Sequence, residues 1–288
     1  MLISEAVVHP RAAWFALRAR SVTNIARIAF GEPPERVADM ARFARFRSSP
    51  ASVSALHECF PDIRFEASDD PALFVASVPS GERLFIRKSC AWQDAHVVND
   101  SFVREIYRVH PSLRGGTVLD IGANIGDTAV YFGRRGARVV AFEPDPELSA
   151  IARSNAALNG VVADIRSAAI GDACMTLPLT RAPDGADPMS AVLFVGNTSS
   201  NKLHSETTDV PVVPFADVLT ELGALRLVKF DCQGCEYYAL ASVTDDALAG
   251  VEHLLLEYHA SADPLIAKLR RCGFAVRLEG RNYLYADR

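Results

Sequence analysis

The chain has 288 residues, 49% of them hydrophobic, which is ample for one sizeable core plus an accessory segment. Its formal net charge of −5 argues against nucleic acid as a partner. The N-terminus MLISEAVVHPR lacks the charged start and apolar block of a secretory signal. No apolar run reaches the ~18 residues of a membrane span, so a cytoplasmic protein without an integral span is expected.

Residues 11 to 30, RAAWFALRARSVTNIARIAF, read as an amphipathic helix. Its arginines would suit a membrane surface, while Trp14, Leu17, Ile25 and Ile28 would equally suit packing on the body of the protein. Pro33 and Pro34 stop it. Residues 35 to 47 and 51 to 60 read as two further helices. Short strands follow at Ile63-Arg64-Phe65, Ala72 to Val75 and Leu84 to Ile86, with Ser80-Gly81 as a turn. Residues 94 to 109 read as a helix leading to Pro111. A boundary is placed near 112, giving an accessory segment, 1 to 112, and a core domain, 113 to 288. The core alternates strand and helix, the pattern of a parallel sheet covered on both faces. Pro146 opens a helix that runs to Asn159, and residues 162 to 170 read as the third core strand. Residues 173 to 196 read as an inserted hairpin, and residues 197 to 208 as loop. Leu227 to Asp231 and His253 to Tyr258 give the fourth and fifth core strands. A helix over 264 to 272 and two short strands close the sheet.

The richest segment is GTVLDIGANIGDTAVYFGRRGARVVAFEPD, residues 116 to 145. It reads as a strand ending in Asp120, a glycine-rich turn, a helix, and a second strand ending in Glu143. That is half of a nucleotide-binding α/β fold. Glu143 lies about twenty residues past Gly122, where a carboxylate can accept hydrogen bonds from both hydroxyls of a ribose; it could also simply cap the next helix. A dinucleotide site wants G-x-G-x-x-G, to seat a pyrophosphate on the helix N-terminus. Here the spacing is Gly122-x-x-x-Gly126, with Asp120 before it and Asn124 inside it. Such an acidic, polar turn suits an ammonium-bearing ligand better, and S-adenosylmethionine is one. NAD or FAD remains the alternative.

Four ordered strings, VLDIGANIGDTAVYF, VVAFEPDPELSAIARSNAALNG, LVKFDCQGCEYYAL and LLLEYH, resemble the FkbM family of S-adenosylmethionine-dependent O-methyltransferases. The resemblance covers residues 113 to 288. It implies a Rossmann-like class I methyltransferase fold, with a mostly parallel seven-stranded sheet and helices on both faces. It also implies S-adenosyl-L-methionine as cofactor, and a small-molecule hydroxyl, of a sugar or polyketide-type natural product, as methyl acceptor. A non-catalytic binding protein on the same fold is the alternative from another class. Oligomeric state is left open, a homodimer included.

Asp120, Gly122, Asn124 and Gly126 are expected to cradle the amino-acid end of the cofactor. Ala123, Asp127, Thr128 and Pro144 are expected beside them, and Glu143 on the ribose. Asp172 is assigned to the adenine pocket, with a plain turn acid after Gly171 as the other reading. Residues 1 to 112, with Trp14, Phe60, Phe102 and Tyr107 among their apolar and aromatic residues, are expected to shape the acceptor pocket and not to hold the cofactor. Asp231, at the end of the fourth strand, and His259, just past the fifth, are the candidate catalytic residues. An imidazole there could take a hydroxyl proton or could merely satisfy loop backbone; His204 is a second candidate base. The resemblance implies a functional or architectural role for Glu236 as well. Gln233 stands where the family pattern has glutamate, so no metal is assigned. Were one required, Asp231, Glu236 and Glu257 would be its candidate ligands. The six scattered cysteines fit reduced thiols. Cys232-Gln233-Gly234-Cys235 could be a redox pair or half a zinc site, but Cys232 reads best as a small buried hydrophobe.

Overall fold

The computed structural model describes residues 52–108, 112–180, 192–193, 207–280 and 282–288. The helices expected over 11 to 30 and 35 to 47, the polar turn of the inserted hairpin, and His204 lie outside these residues. The chain divides into two units, Met1–Pro61 and Asp62–Arg288. In the first, helix α1 (Val53–Cys59) is capped by Ser52, whose hydroxyl accepts from the Ala55 N–H. No helix among the described residues is long and apolar enough to cross a membrane.

The second unit opens with an antiparallel sheet of β1 (Arg64–Ala67), β2 (Leu73–Ser77) and β3 (Arg83–Arg87), in that order. Helix α2 (Ala91–Phe102) follows. It ends earlier than the expected 109 because Glu105 takes a left-handed φ of 50°. The chain then turns Tyr107 into the interior, where it is buried. β1, β2, β3 and α2, all before residue 112, belong to the second unit.

Next come β4 (Thr117–Ile121), α3 (Asp127–Arg134), β5 (Arg138–Phe142), α4 (Pro146–Leu158) and β6 (Ala163–Arg166). Pro146 opens α4 as expected, and the Asp145 carboxylate accepts from the Glu147 and Leu148 N–H groups at its start. The chain continues with β7 (Ala169–Gly171), β8 (Met175–Thr180), β9 (Val192–Leu193), β10 (Thr207–Pro214) and α5 (Phe215–Leu222). Last come β11 (Leu225–Phe230), α6 (Cys235–Ser242), a 3₁₀ turn, β12 (Val251–Glu257), α7 (Asp263–Arg271), β13 (Ala275–Glu279) and β14 (Tyr283–Asp287).

Seven strands form the main sheet in the order β13-β14-β12-β11-β4-β5-β6. All neighbours are parallel except β14, which runs antiparallel between β12 and β13. This is the expected Rossmann-like class I architecture. The near-continuous burial of β4, β5 and β11 is what coverage on both faces requires.

The single strand expected over 162 to 170 is in fact two. β6 edges the main sheet, whereas β7 leaves it for a second sheet of order β7-β10-β8-β9. β8 and β9 pair antiparallel as the inserted hairpin requires. β10 begins at Thr207, inside the stretch expected to be loop. Its polar start at Thr207, Thr208 and Asp209 is exposed, so composition hides the strand there.

β3 is anchored to α4 by two asparagines. Phe85 N–H donates to Asn155 Oδ1 (2.6 Å), and Asn155 Nδ2 donates to Phe85 O (3.1 Å). Asn155 Nδ2 also reaches Ile125 O (2.8 Å). Asn159 repeats the exchange with Arg83, accepting at 3.0 Å and donating at 2.7 Å. A carboxamide thereby stands in for a neighbouring strand, satisfying edge groups that would otherwise lack a protein partner.

Candidate active site

The carboxyl ends of β4, β5, β11 and β12 meet at one edge, the side on which open parallel sheets bind ligands. A cavity of about 490 Å³ lies there. Its wall includes Gly122, Asn124, Glu143, Pro144, Asp172, Asp231 and His259. Thus seven expected site residues from five separate segments share one cavity.

Asp120, Ala123, Gly126, Asp127 and Thr128 are not part of its wall. Asp120 is 0% exposed. Its Oδ1 pairs with Lys229 Nζ at 3.0 Å, and its Oδ2 accepts from Thr128 Oγ1 at 2.6 Å. Lys229, itself 1% exposed, also donates to Gly122 O at 2.8 Å. Burial alone would lower the Lys229 pKa, but Asp120, Asp231 and Asp127 together raise it. Lys229 thus sets an ammonium of the protein's own against the Asp120 end of the acidic turn. Asp127 is buried and accepts from Ser101 Oγ; burial pushes its carboxyl up to about 7, against that hydrogen bond.

The glycines, too, serve the fold first. A Cβ at Gly122 would stand 1.9 Å from the Asp231 carbonyl oxygen, and Gly122 has φ 82°. A Cβ at Gly126 would meet Ala152 at 2.8 Å, so that glycine sets how closely α3 approaches α4.

Glu143 is held by backbone. Its Oε2 accepts from Asn124 N–H (2.8 Å) and its Oε1 from Asp145 N–H (2.9 Å). Asn124 adopts a left-handed φ of 52°, which aims that N–H at the carboxylate. Each oxygen keeps a lone pair for a ligand hydroxyl. Burial pushes the group up to about 7.

At the other end of the cavity, Asp231 accepts from Tyr107 Oη at 3.2 Å. Glu257 is pushed up to about 8 by burial and then by the adjacent Asp231 carboxylate. Asn282 Nδ2 donates to Glu257 Oε1. His259 Nδ1 lies 3.2 Å from Oε1 of Glu236, which is 0% exposed. Burial acts to lower the His259 pKa, but the bond to Glu236 and the nearby acids raise it. Glu236 is fixed in turn by Gly234 N–H (2.9 Å) and His259 N–H (3.3 Å).

Cys232 and Cys235 are joined by a disulfide, with Cα atoms 5.5 Å apart. This overturns the reading of all six cysteines as thiols and of Cys232 as a buried hydrophobe: both sulfurs belong to partly exposed residues on the cavity wall. The cause is local. Gln233 (φ 57°) and Gly234 (φ 116°) are both left-handed, and two such residues in succession fold the loop back on itself. Cys59, Cys90, Cys174 and Cys272 take part in no disulfide.

Sequence reasoning missed Lys229 and Arg87. Lys229 had a signal, a lysine inside an otherwise apolar strand. Arg87 had none, since it reaches the site from outside the recognised motifs. Arg87 and Val97 precede residue 112 yet border the same cavity as Glu143 and Leu148.

The model of the FkbM methyltransferase domain matches residues 120–276, over half of the chain. The chain belongs to the FkbM methyltransferase family. As a member it is a methyltransferase, and its cofactor is S-adenosyl-L-methionine. This FkbM-family chain is 27% identical over 234 residues to 31-O-demethyl-FK506 methyltransferase from Streptomyces tacrolimicus, covering 71% of this chain and 86% of that one. It is also 27% identical over 259 residues to the antimetabolite synthetase AmbE of Pseudomonas aeruginosa, but spans only 12% of that protein. Among solved structures it is similar to magnesium protoporphyrin IX methyltransferase from Synechocystis, at 13% identity and TM-score 0.39, covering 68% of this chain and 83% of that one.

The residues present fit the cofactor. The cavity has the size of a small-molecule site. Glu143 offers ribose acceptors, and Asn124 and Gly122 stand beside it on the same wall. Pro144, Leu148 and Ile170 supply apolar surface for an adenine.

Proposed function

We propose that this methyltransferase O-methylates a hydroxyl of a small molecule, of sugar or polyketide type, with His259 as general base and Asp231 beside it. The observation that carries this reading is the Glu236–His259 pair at the cavity edge. An acid bonded to Nδ1–H fixes the neutral tautomer with its lone pair on Nε2 and stabilises the imidazolium that forms when a proton arrives. The relative named for 31-O-demethyl-FK506 supports an oxygen acceptor. Asp231 is held by Tyr107 and can orient the acceptor hydroxyl. Tyr237 and Tyr238 line the cavity near His259 and Ala260, and offer aromatic surface to a bulky acceptor.

Bound S-adenosyl-L-methionine supplies an electrophilic methyl group. The protein's part is to hold the acceptor oxygen in line at roughly 3–3.5 Å and to take its proton at His259 Nε2. A positioned base is worth ~10²–10⁴ in rate.

The test is incubation with cofactor and a panel of glycosides and macrolides, following a mass gain of one methyl. His259→Ala should lower turnover at least about tenfold while leaving S-adenosylhomocysteine affinity within about twofold. Methyl groups found only on nitrogen, carbon or sulfur acceptors would overturn the reading. No metal is assigned to the step, because Gln233 removes one carboxylate from this edge; dialysis against a chelator should leave activity intact. Activity lost and restored only by a divalent ion would instead make ligands of Asp231, Glu257 and His259, whose donor atoms lie within 4.8 Å of one another.

A further inference from the structure

We propose that Cys232 and Cys235 form a redox-active dithiol–disulfide site whose state sets the shape of the active-site wall. Three observations converge on it. Both cysteines are partly exposed and border the cavity with Asp231, Gln233 and Gly234, so a small thiol can reach the bridge. Cys235 is the first residue of α6, where helix amides favour a thiolate and make it the better leaving group. The bridged loop also touches both halves of the site. The Asp231 carbonyl and Cys232 Cα lie against Gly122 on the cofactor side, within 1.9 and 3.3 Å of where a Cβ would stand. Gly234 N–H holds Glu236, and through it His259, on the acceptor side.

The exchange balances with a dithiol reductant. One thiolate of the reductant attacks Cys232 Sγ; the Sγ–Sγ bond breaks and Cys235 leaves as thiolate, then takes up a proton. The second thiolate of the reductant attacks its own sulfur in the mixed disulfide, closing a disulfide in the reductant and releasing Cys232 as thiol. Two electrons and two protons reach the pair, and the reductant is oxidised by the same amount. In the bridged state Gln233 and Gly234 are held left-handed, and the loop backs the Gly122 turn. In the reduced state that constraint is gone and the wall relaxes.

The experiment uses the full chain, purified without reductant. Differential alkylation and mass mapping report Cys232 and Cys235, with Cys59, Cys90, Cys174 and Cys272 as internal controls. Calorimetry with S-adenosylhomocysteine and the His259 imidazole signal in NMR are recorded in oxidised and reduced dithiothreitol. The expected result is a bridge that forms and breaks reversibly, an affinity at least about threefold weaker in the reduced state, and a displaced His259 signal. The Cys232→Ser/Cys235→Ser variant should match the reduced protein and ignore the reagent. If that variant does not fold, the wild-type comparison decides alone. An affinity change below threefold with an unmoved His259 signal would overturn the proposal. So would free thiols that oxidised dithiothreitol fails to bridge, or one zinc ion retained per chain. The affinity arm rests on the cofactor assignment: binding absent in both states would count against that assignment, while the His259 signal still decides the redox site.

Discussion

Glu236 and His259 are 23 residues apart in sequence, and the sheet brings Nδ1 of one to 3.2 Å from Oε1 of the other. Glu236 is buried, whereas His259 reaches the cavity. The acid can therefore act on substrate only through the imidazole, as a positioning residue. Because the bond favours the charged ring, His259 should titrate above the ordinary ~6.5. Glu236→Gln should lower that pKa, seen as an NMR titration curve shifted to lower pH. The proposed base must be neutral to work, so the rising limb of the rate–pH profile should shift in the same direction. A curve unmoved by the substitution would break the link between the two residues.

Glu143 should carry the ribose. Glu143→Ala removes a charged acceptor, and such a loss costs ~1.5–3 kcal/mol, about ten- to a hundredfold in affinity for S-adenosylhomocysteine. The wild-type group is pushed up to about 7 by burial, and it accepts fully only when ionised. Affinity measured by calorimetry should therefore rise as pH goes from 6 to 8, and this rise should vanish in Glu143→Gln.

Gly122→Ala should fail as a fold change before it fails as a binding change. The new methyl would stand 1.9 Å from the Asp231 carbonyl, which is backbone and has to move. A loss of ~3 kcal/mol or more of stability is expected, comparable to severe overpacking. Gly234→Ala meets nothing within 4 Å and should cost only the ~1 kcal/mol of a left-handed φ. Urea unfolding without ligand separates the two; equal midpoints would refute the packing argument.

Asn155→Ala would strip hydrogen bonds from Phe85 N–H, Phe85 O and Ile125 O at once. At ~1–3 kcal/mol per buried group left unpaired, a loss of about 3 kcal/mol or more is expected. Amide exchange should quicken first at Phe85. Protection unchanged there would mean that β3 is held by something else.

Asp127, Glu143 and Glu257 are raised to about 7, 7 and 8, mainly by burial. The sign follows from proton counts. Between the unfolded values near 4 and these folded values, the unfolded chain has lost protons that the folded chain keeps. Stability contributed by these groups therefore falls as pH rises through that window. The melting temperature should decline from pH 5 to pH 8, and Asp127→Asn should flatten the decline while keeping a partner for Ser101. A melting temperature that rises across this range would contradict the assigned burial.

The sequence by itself determined much of the order of strands and helices from residue 113 onward, and the glycine turn, though it merged β6 with β7 and took the start of β10 for loop. It also placed Glu143, Asp231 and His259 at strand ends. These are short-range facts, because periodicity, proline and glycine act on their own neighbours. It could not decide which carboxylates face ligand and which face protein. Asp120 and Glu143 both end strands at one edge, yet Asp120 is claimed by Lys229, a residue of β11, while Glu143 meets only backbone amides and keeps room for a ligand. Nor could it show that β7 leaves the main sheet, that Asn155 completes an edge strand from the first part of the chain, or that Tyr107 reaches Asp231. Each of these depends on groups far apart in the chain meeting in a dry interior, where every polar atom must find its partner. Which partner is near is settled by strand order and packing, not by local pattern.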